Sequence, residues 1–182
     1  MPQPESFRTD LLAAIPSLRA FGVSLAQNAD RADDLVQETL VKAWDKQDSF
    51  EQGTNLKAWL FTILRNEFYS QMRKRGREVQ DSDGIITQKM AVHPGQLGVL
   101  DLADFKAALA TLPADQREAI ILIGASGFSY EEAAEICNCA VGTIKSRVSR
   151  ARTRLQQILS VSGEADFGPD AISAQVIAST AA

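Results

Sequence analysis

Cysteine and histidine are almost missing. The 182 residues hold two cysteines, Cys137 and Cys139, and one histidine, His93. So few thiols exclude a disulfide scaffold, and the simplest home is the cytoplasm. A structural zinc site takes about four Cys or His ligands, which nearly excludes one here. The spacing of the two cysteines is metal-like, but with no further ligands they read as thiols packed in a turn. There is no P-loop, no dinucleotide-binding glycine pattern and no nucleophile elbow. The lone histidine stands before Pro94 in a stretch with turn chemistry. Catalysis by this chain is not expected, and no cofactor is. Long apolar runs are missing too. The longest, from Ala119 to Ala125, falls far short of the roughly 20 residues that a bilayer span needs. Met1 to Arg8 has no basic patch leading into an apolar stretch, so no secretion signal is expected, and no membrane partner.

What remains is an ordinary soluble composition. Apolar residues make up 45% and charged residues 23%, enough to build a core and too apolar for disorder throughout. The length suits one or two small domains. The net charge of −4 conceals a strong asymmetry. Residues 65–77 carry Arg65, Arg73, Lys74, Arg75 and Arg77 against Glu67, for +4. Residues 141–158 carry Lys145, Arg147, Arg150, Arg152 and Arg154 and no acid, for +5, which leaves −13 for the rest. Charge acts over about 8–10 Å at ordinary salt, so two basic patches can bind nucleic acid while the acidic body meets something else.

Hydrophobic periodicity predicts an all-α chain with two small helical domains joined by a flexible linker. The first domain is expected over 5–77, the linker over 78–100, the second domain over 101–160 and a frayed tail over 161–182. In the first domain, residues 7–25 look helical, with Pro16 starting or kinking a helix. Residues 31–44 follow, with Leu35, Leu40, Ala43 and Trp44 at helical spacing. After a loop broken by Gly53, Thr54 or Asn55 can cap a third helix. Leu56, Trp59, Leu60, Ile63, Leu64, Phe68 and Met72 form its apolar stripe, and Gly76 is its expected stop. The linker is expected from the turn residues around 80–84 and 93–95. In the second domain, helices are expected over 102–112, 114–124, 129–136 and 141–159.

The last two of these helices predict a helix-turn-helix. Ser129-Tyr130-Glu131-Glu132 is a capping box: the hydroxyl caps the helix and the glutamate three residues on reaches back. Ala133 and Ala134 are small and let another helix approach. Asn138 can take the left-handed conformation that the turn needs. In the final helix Ile144, Val148, Ala151, Leu155 and Ile158 share one side. Thr143, Ser146, Ser149, Arg150 and Thr153 hold the opposite side, flanked by Lys145, Arg147, Arg152 and Arg154. One buried stripe, one hydrogen-bonding face and basic edges are what a major-groove reader requires.

The first domain adds Asp34-Leu35-Val36-Gln37-Glu38-Thr39-Leu40-Val41-Lys42-Ala43-Trp44, then Asp48-Ser49-Phe50. After these comes Asn55-Leu56-Lys57-Ala58-Trp59-Leu60-Phe61-Thr62-Ile63-Leu64-Arg65-Asn66. This pattern resembles region 2 of the extracytoplasmic-function (group IV) bacterial sigma factors. The second domain, through Ser129 to Ala134 and Val141 to Arg147, resembles their region 4. The resemblance spans about 7–159. Within the family, residues 55–66 and 139–143 look like the EcfG group, the general-stress sigma factors of alphaproteobacteria.

The resemblance implies a factor that binds core RNA polymerase and directs promoter-specific initiation. It places Asp34, Gln37 and Glu38 against the β′ subunit of polymerase, the β subunit being a further partner. It places Phe50, Asn55, Arg65, Asn66, Arg73, Lys74 and Arg75 at the melted −10 element. Phe50 divides evenly between a core plug and a pocket wall, and Trp59 reads as core. Thr143, Lys145, Ser146, Ser149 and Arg150 fall at the −35 element, with Arg147, Arg152 and Arg154 as backbone clamps. Promoter DNA and an anti-sigma factor, of the NepR type if the subgroup holds, are the other implied partners.

Two rivals stand beside that reading. A sigma-like decoy for an anti-sigma factor is disfavoured, because the known kind carries a receiver domain for which no room is expected and needs no DNA-reading helix. A helix-turn-helix regulator that never joins polymerase leaves the first domain without a purpose.

Overall fold

The structure, a computed structural model, describes residues 4–51, 53–80 and 102–159. Its elements are α1 (Pro4–Ala26), α2 (Ala29–Asp45), a short 3₁₀ turn (Gln47–Ser49) and α3 (Leu56–Gln80). They continue with α4 (Leu102–Thr111), α5 (Ala114–Gly124), α6 (Tyr130–Cys137) and α7 (Val141–Leu159). The chain is all-α with two helical domains, as the periodicity predicts. The core of the expected linker, His93 within it, and the expected tail lie outside the described residues.

In the first domain α1 and α2 are joined by a tight corner. Gln27 takes φ 52°, and the Asn28 side chain accepts a hydrogen bond from the Arg31 N–H, so α2 begins two residues earlier than its apolar pattern suggests. Gly22 lets the two helices touch: a Cβ there would meet the Cβ of Ala32 at 3.3 Å. Phe7, Leu11, Leu18, Phe21 and Leu25 of α1 are buried with Leu35, Val36 and Ala43 of α2 and Leu60, Leu64 and Phe68 of α3. Residues Phe7–Ala26 are long and apolar enough, with a mean hydropathy of 1.2, to cross a membrane by length and composition. The run-length argument from sequence missed this window because charged residues interrupt it. Its large side chains at 7, 11, 18, 21 and 25 are core residues of the bundle.

No new helix starts at Pro16, and the expected stop at Gly76 does not occur. Pro16 lies inside α1, and α3 continues through Gly76 to Gln80. A lone glycine costs a helix only about 1 kcal/mol relative to alanine, and the space around Gly76 is open. The packed residues that follow Pro16 hold α1 in one piece.

In the second domain α5 and α7 have the bounds read from sequence. The capping box forms in full: the Glu132 N–H donates to Ser129 Oγ at 3.1 Å, and the Ser129 N–H donates to Glu132 Oε2 at 2.8 Å. Asn138 takes φ 49° and ψ 53°, the left-handed break between α6 and α7. Ala133, Ala134, Ile136, Ile144 and Val148 fill the angle between these helices.

The two domains are not separate beads. They share a core. Phe61 of α3 stacks on Phe21 at 4.7 Å and meets the edge of Phe128, from the second domain, at 4.9 Å. Phe61 is fully buried, yet it lies off the apolar stripe read from sequence. The reason is a second stripe on α3 at a spacing of four residues: Lys57, Phe61, Arg65 and Tyr69. Lys57 Nζ donates to the Ser126 carbonyl at 2.8 Å and lies 5.1 Å from the Phe128 ring. Arg65 and Tyr69 both reach Glu118 of α5. From the other side, buried Arg117 donates to the Ser24 carbonyl at 2.7 Å, and Gln27 donates to the Ala110 carbonyl at 2.9 Å.

Candidate nucleic-acid and polymerase interfaces

The outer face of α7 is the clearest surface. Ile144, Val148, Ala151 and Leu155 are buried, which turns the opposite side to solvent. Lys145, Ser149, Arg150, Arg152, Thr153 and Arg154 are exposed, and no carboxylate interrupts them. Three of the expected contacts are less open. Thr143 and Ser146 are half-buried, and the Ser146 hydroxyl donates to the Thr143 carbonyl at 2.9 Å. Arg147 is half-buried and pairs with Asp115 of α5 at 3.2 Å, so it braces the domain. Lys145 sits 5.9 Å above the Tyr130 ring, which aims its ammonium along the α6 side of the helix.

Behind this face, α4, α5 and α7 enclose an apolar groove of about 410 Å³. Phe105, Leu109, Ile120, Leu155 and Leu159 line it, with Arg152 at one side. Cys137 is buried in the main core, where burial and the nearby Glu118 carboxylate push its thiol up to about 12. Such a thiol is inert packing.

On the first domain, Asp34, Gln37 and Glu38 are exposed along α2 and face the exposed part of α3. A polar groove of about 550 Å³ lies between them and Glu67, Ser70, Gln71, Lys74 and Arg75. Lys42 pairs with Glu67, and Gln71 donates to Glu67 at 3.0 Å and to Glu38 at 3.4 Å. A hydrogen bond with Glu67 raises the Glu38 carboxyl above its ordinary range, with burial adding. Burial opposes ionisation of Glu67, but the Lys42 ammonium holds its carboxyl below that range. The sequence singled out the α2 side of this groove. Lys74 and Arg75, which the resemblance assigns to DNA, border the same groove from α3, beside Glu67, Ser70 and Gln71.

The residues matched to the −10 element divide into two groups. Asn66, Arg73, Lys74 and Arg75 are exposed on the outer length of α3. The others are engaged. Phe50 packs between Phe7 at 6.3 Å and Trp59 at 5.3 Å, which makes it a plug in an aromatic cluster, and Trp59 is core as expected. Asn55 caps α3, accepting from the Ala58 N–H at 3.2 Å. Its Nδ2 donates to Glu132 Oε1 at 2.7 Å, in the second domain. Arg65 Nε donates to Glu118 Oε1 at 2.7 Å, and its Nη2 reaches Oε2 at 3.4 Å. The Arg65 guanidinium also lies 4.7 Å from the Tyr69 ring. Glu118 is wholly buried. Burial and the Glu118 charge push the Tyr69 hydroxyl up to about 12. The guanidinium of Arg65 is raised despite its burial, because Glu118 stabilises its charge. Glu118, Glu132 and Lys57 were not foreseen as site-facing residues. The four-residue spacing of Lys57, Phe61, Arg65 and Tyr69 is the signal that could have found this second face of α3.

The chain matches two family signatures in order: Sigma-70 region 2 over residues 12–78 and Sigma-70 region 4 over residues 102–155. It is 63% identical over 170 residues to the ECF RNA polymerase sigma factor EcfG of Rhodopseudomonas palustris, covering 93% of this chain and 94% of that one. The structure resembles the sigma factor RpoE of Bartonella quintana, solved in complex with the anti-sigma factor NepR. The TM-score is 0.77 and the identity 70%, over 87% of this chain and 99% of that one. It shares a fold with the PhyRSL part of a PhyRSL–NepR complex from Sphingomonas, at 19% identity and a TM-score of 0.61 over 85% and 90% of the two chains. Both domains and the full span between them thus have counterparts in one set of relatives, and the chain belongs to the extracytoplasmic-function family of RNA polymerase sigma factors.

Proposed function

We propose that this sigma factor joins core RNA polymerase in the cytoplasm and directs promoter-specific initiation at genes of the general stress response. The observation that carries the reading is α7: a buried apolar stripe holds an acid-free face of Lys145, Ser149, Arg150, Arg152 and Arg154 toward solvent. Ser149 and Arg150 read base edges of the −35 element in the major groove, with Thr143, Lys145 and Ser146 beside them. Arg152 and Arg154 take backbone phosphates. Arg147 serves from its ion pair with Asp115, reaching phosphate only if that pair opens.

Region 2 is proposed to span 5–77 and region 4 to span 101–160, with 78–100 linking them and 161–182 as a tail. The exposed Asp34, Gln37 and Glu38 meet the β′ subunit, where charge complementarity sets approach and register. The apolar groove behind α7 is shaped for an apolar helix of the β subunit. Asn66, Arg73, Lys74 and Arg75 track the single strand at the −10 element, and Asn55 and Arg65 join them when the domains part. Phe50 acts there indirectly, by shaping the loop. Protein chemistry of this kind supplies binding alone, and bond formation belongs to polymerase. By analogy with the Bartonella quintana relative, an anti-sigma factor of the NepR type holds the protein in reserve.

Run-off transcription with sigma-free core polymerase on a pool of promoter fragments tests the reading. Specific transcripts that require this protein are expected. Absence of both transcripts and core capture would contradict it.

A further inference from the structure

We propose that residues 160–182 of this chain dock in the apolar groove between α4, α5 and α7, with Phe167, Ile172 and Val176 as the side chains that fill it. The docking concerns the free protein and does not depend on the polymerase reading. Its consequence does: an apolar helix of the β subunit could enter the groove only after the tail has left.

The groove is a small core left open on one side. Ala108 and Leu112 of α4 with Ala151 and Leu155 of α7 form a buried cluster of their own, apart from the core that the two domains share. Phe105, Leu109, Ile120 and Leu159 pack against that cluster but stay only half-buried. They border a hollow of about 410 Å³, within the size range of clefts that take an apolar ligand. Side chains that fit the hollow would remove its apolar walls from water, which is favourable.

Attachment and charge identify the occupant. α7 ends at Leu159, which is itself part of the groove wall, so the chain leaves the helix at the edge of the hollow. Residues 160–182 lie outside the described residues, and their sequence carries the argument. Beyond Val161 their large apolar residues are Phe167, Ile172, Val176 and Ile177. Gly163 on one side of Phe167 and Gly168-Pro169 on the other are turn formers, which suits a chain that doubles back. Glu164, Asp166 and Asp170 stand among these residues with no base, for −3. The groove answers with Arg152, exposed at its side, and Arg154 is exposed on the same helix. Apolar side chains thus find an apolar hollow, and the acids around Phe167 find a guanidinium. The short tether also holds the tail near the groove at an effective concentration on the order of millimolar, which a separate chain does not reach. A competing apolar helix binds only the open form, so its apparent affinity falls by the fraction of molecules that are open.

The test uses the full chain without polymerase. In one arm Phe167 is replaced by the photo-crosslinking residue p-benzoylphenylalanine, and the products are mapped by mass spectrometry. A cross-link within one chain, to groove residues of α4, α5 or α7, is expected. In the other arm Phe167→Ser, Ile172→Ser and Val176→Ser are combined to vacate the groove; none of the three lies in a described helix, so the fold is left alone. A fluorescein-labelled peptide of residues 160–182 should bind this triple variant about tenfold more tightly than it binds the parent, in which the chain's own tail competes. Cross-links that form only between two chains would assign the groove to a second copy and overturn the proposal. So would cross-links that miss the groove, or a peptide that binds parent and variant equally or binds neither. If one of these occurs while the parent still captures core polymerase and supports run-off transcription, the docked tail is wrong and the sigma assignment stands. Loss of capture and transcription in the parent, with the cross-link in place, would remove the assignment and keep the docked tail.

Discussion

Arg65 on α3 and Glu118 on α5 meet at 2.7 Å, with the carboxylate wholly shielded from solvent and the arginine side chain only 16% exposed. One residue belongs to region 2 and the other to region 4, so the pair reports on whether the two regions are together.

Removing the acid should be costly. Glu118→Ala leaves a guanidinium half-sequestered without a counter-charge, and breaking a buried pair in this way destabilises by about 3–5 kcal/mol. Arg65 can swing to water once α5 recedes, so a loss near the lower end, about 3 kcal/mol, is expected in urea unfolding. A change below about 0.5 kcal/mol would show that the pair contributes nothing to the packed form.

The helix-turn-helix should fail at its joints. Ser129→Ala removes the cap that accepts from the Glu132 N–H and should cost about 1 kcal/mol. Asn138→Val forces a β-branched residue into φ 49° and should cost about 1–2 kcal/mol, whereas Asn138→Gly should be nearly neutral. Thermal denaturation of the three variants checks the order.

Much of this domain was legible from sequence for a local reason. A capping box, a left-handed turn and an amphipathic helix are each written within a few residues, and α5 and α7 begin and end where their patterns do. The packing between domains was not legible. It joins residues about 50 to 95 positions apart, and its polar members look like surface when read locally. Glu118 opens an apolar run and Arg65 closes one, so both read as solvated ends. Phe61 falls off the main stripe of α3 because that helix is buried on two sides. Gly76 failed as a stop because glycine ends a helix only where the backbone turns left-handed, and here it does not.

Base reading and bracing should separate on α7. Arg150→Ala should cost about 1–3 kcal/mol in −35 recognition and relax the preferred sequence. Arg147→Ala breaks the Asp115 pair and should lower thermal stability while leaving sequence preference in place. Equal effects of both variants on promoter choice would show that the two arginines do the same job.

The acidic face of α2 should govern assembly. Glu38→Lys places a second cation beside Lys42 and opposite the basic end of α3, and should weaken capture of core polymerase while DNA determinants stay intact. Undiminished capture would mean that this face is merely solvated.

Alkali should open the shared core. The Tyr69 hydroxyl and the Cys137 thiol are both pushed up to about 12, from ordinary values of 10 and 9. Each is an acid whose neutral form the fold prefers, so the unfolded chain gives up its proton first. The stability they confer is complete below pH 9 and is lost as pH rises toward 12. Tyr69→Phe with Cys137→Ala should flatten that loss. An unchanged alkaline limb in urea unfolding would place both groups in water.

The most direct measurement is run-off transcription by core polymerase with and without this protein, on a mixed pool of promoter fragments. The account predicts discrete transcripts that appear only with the protein and vanish with Arg150→Ala or Glu38→Lys. Transcripts independent of the protein, with no capture of core polymerase, would contradict it.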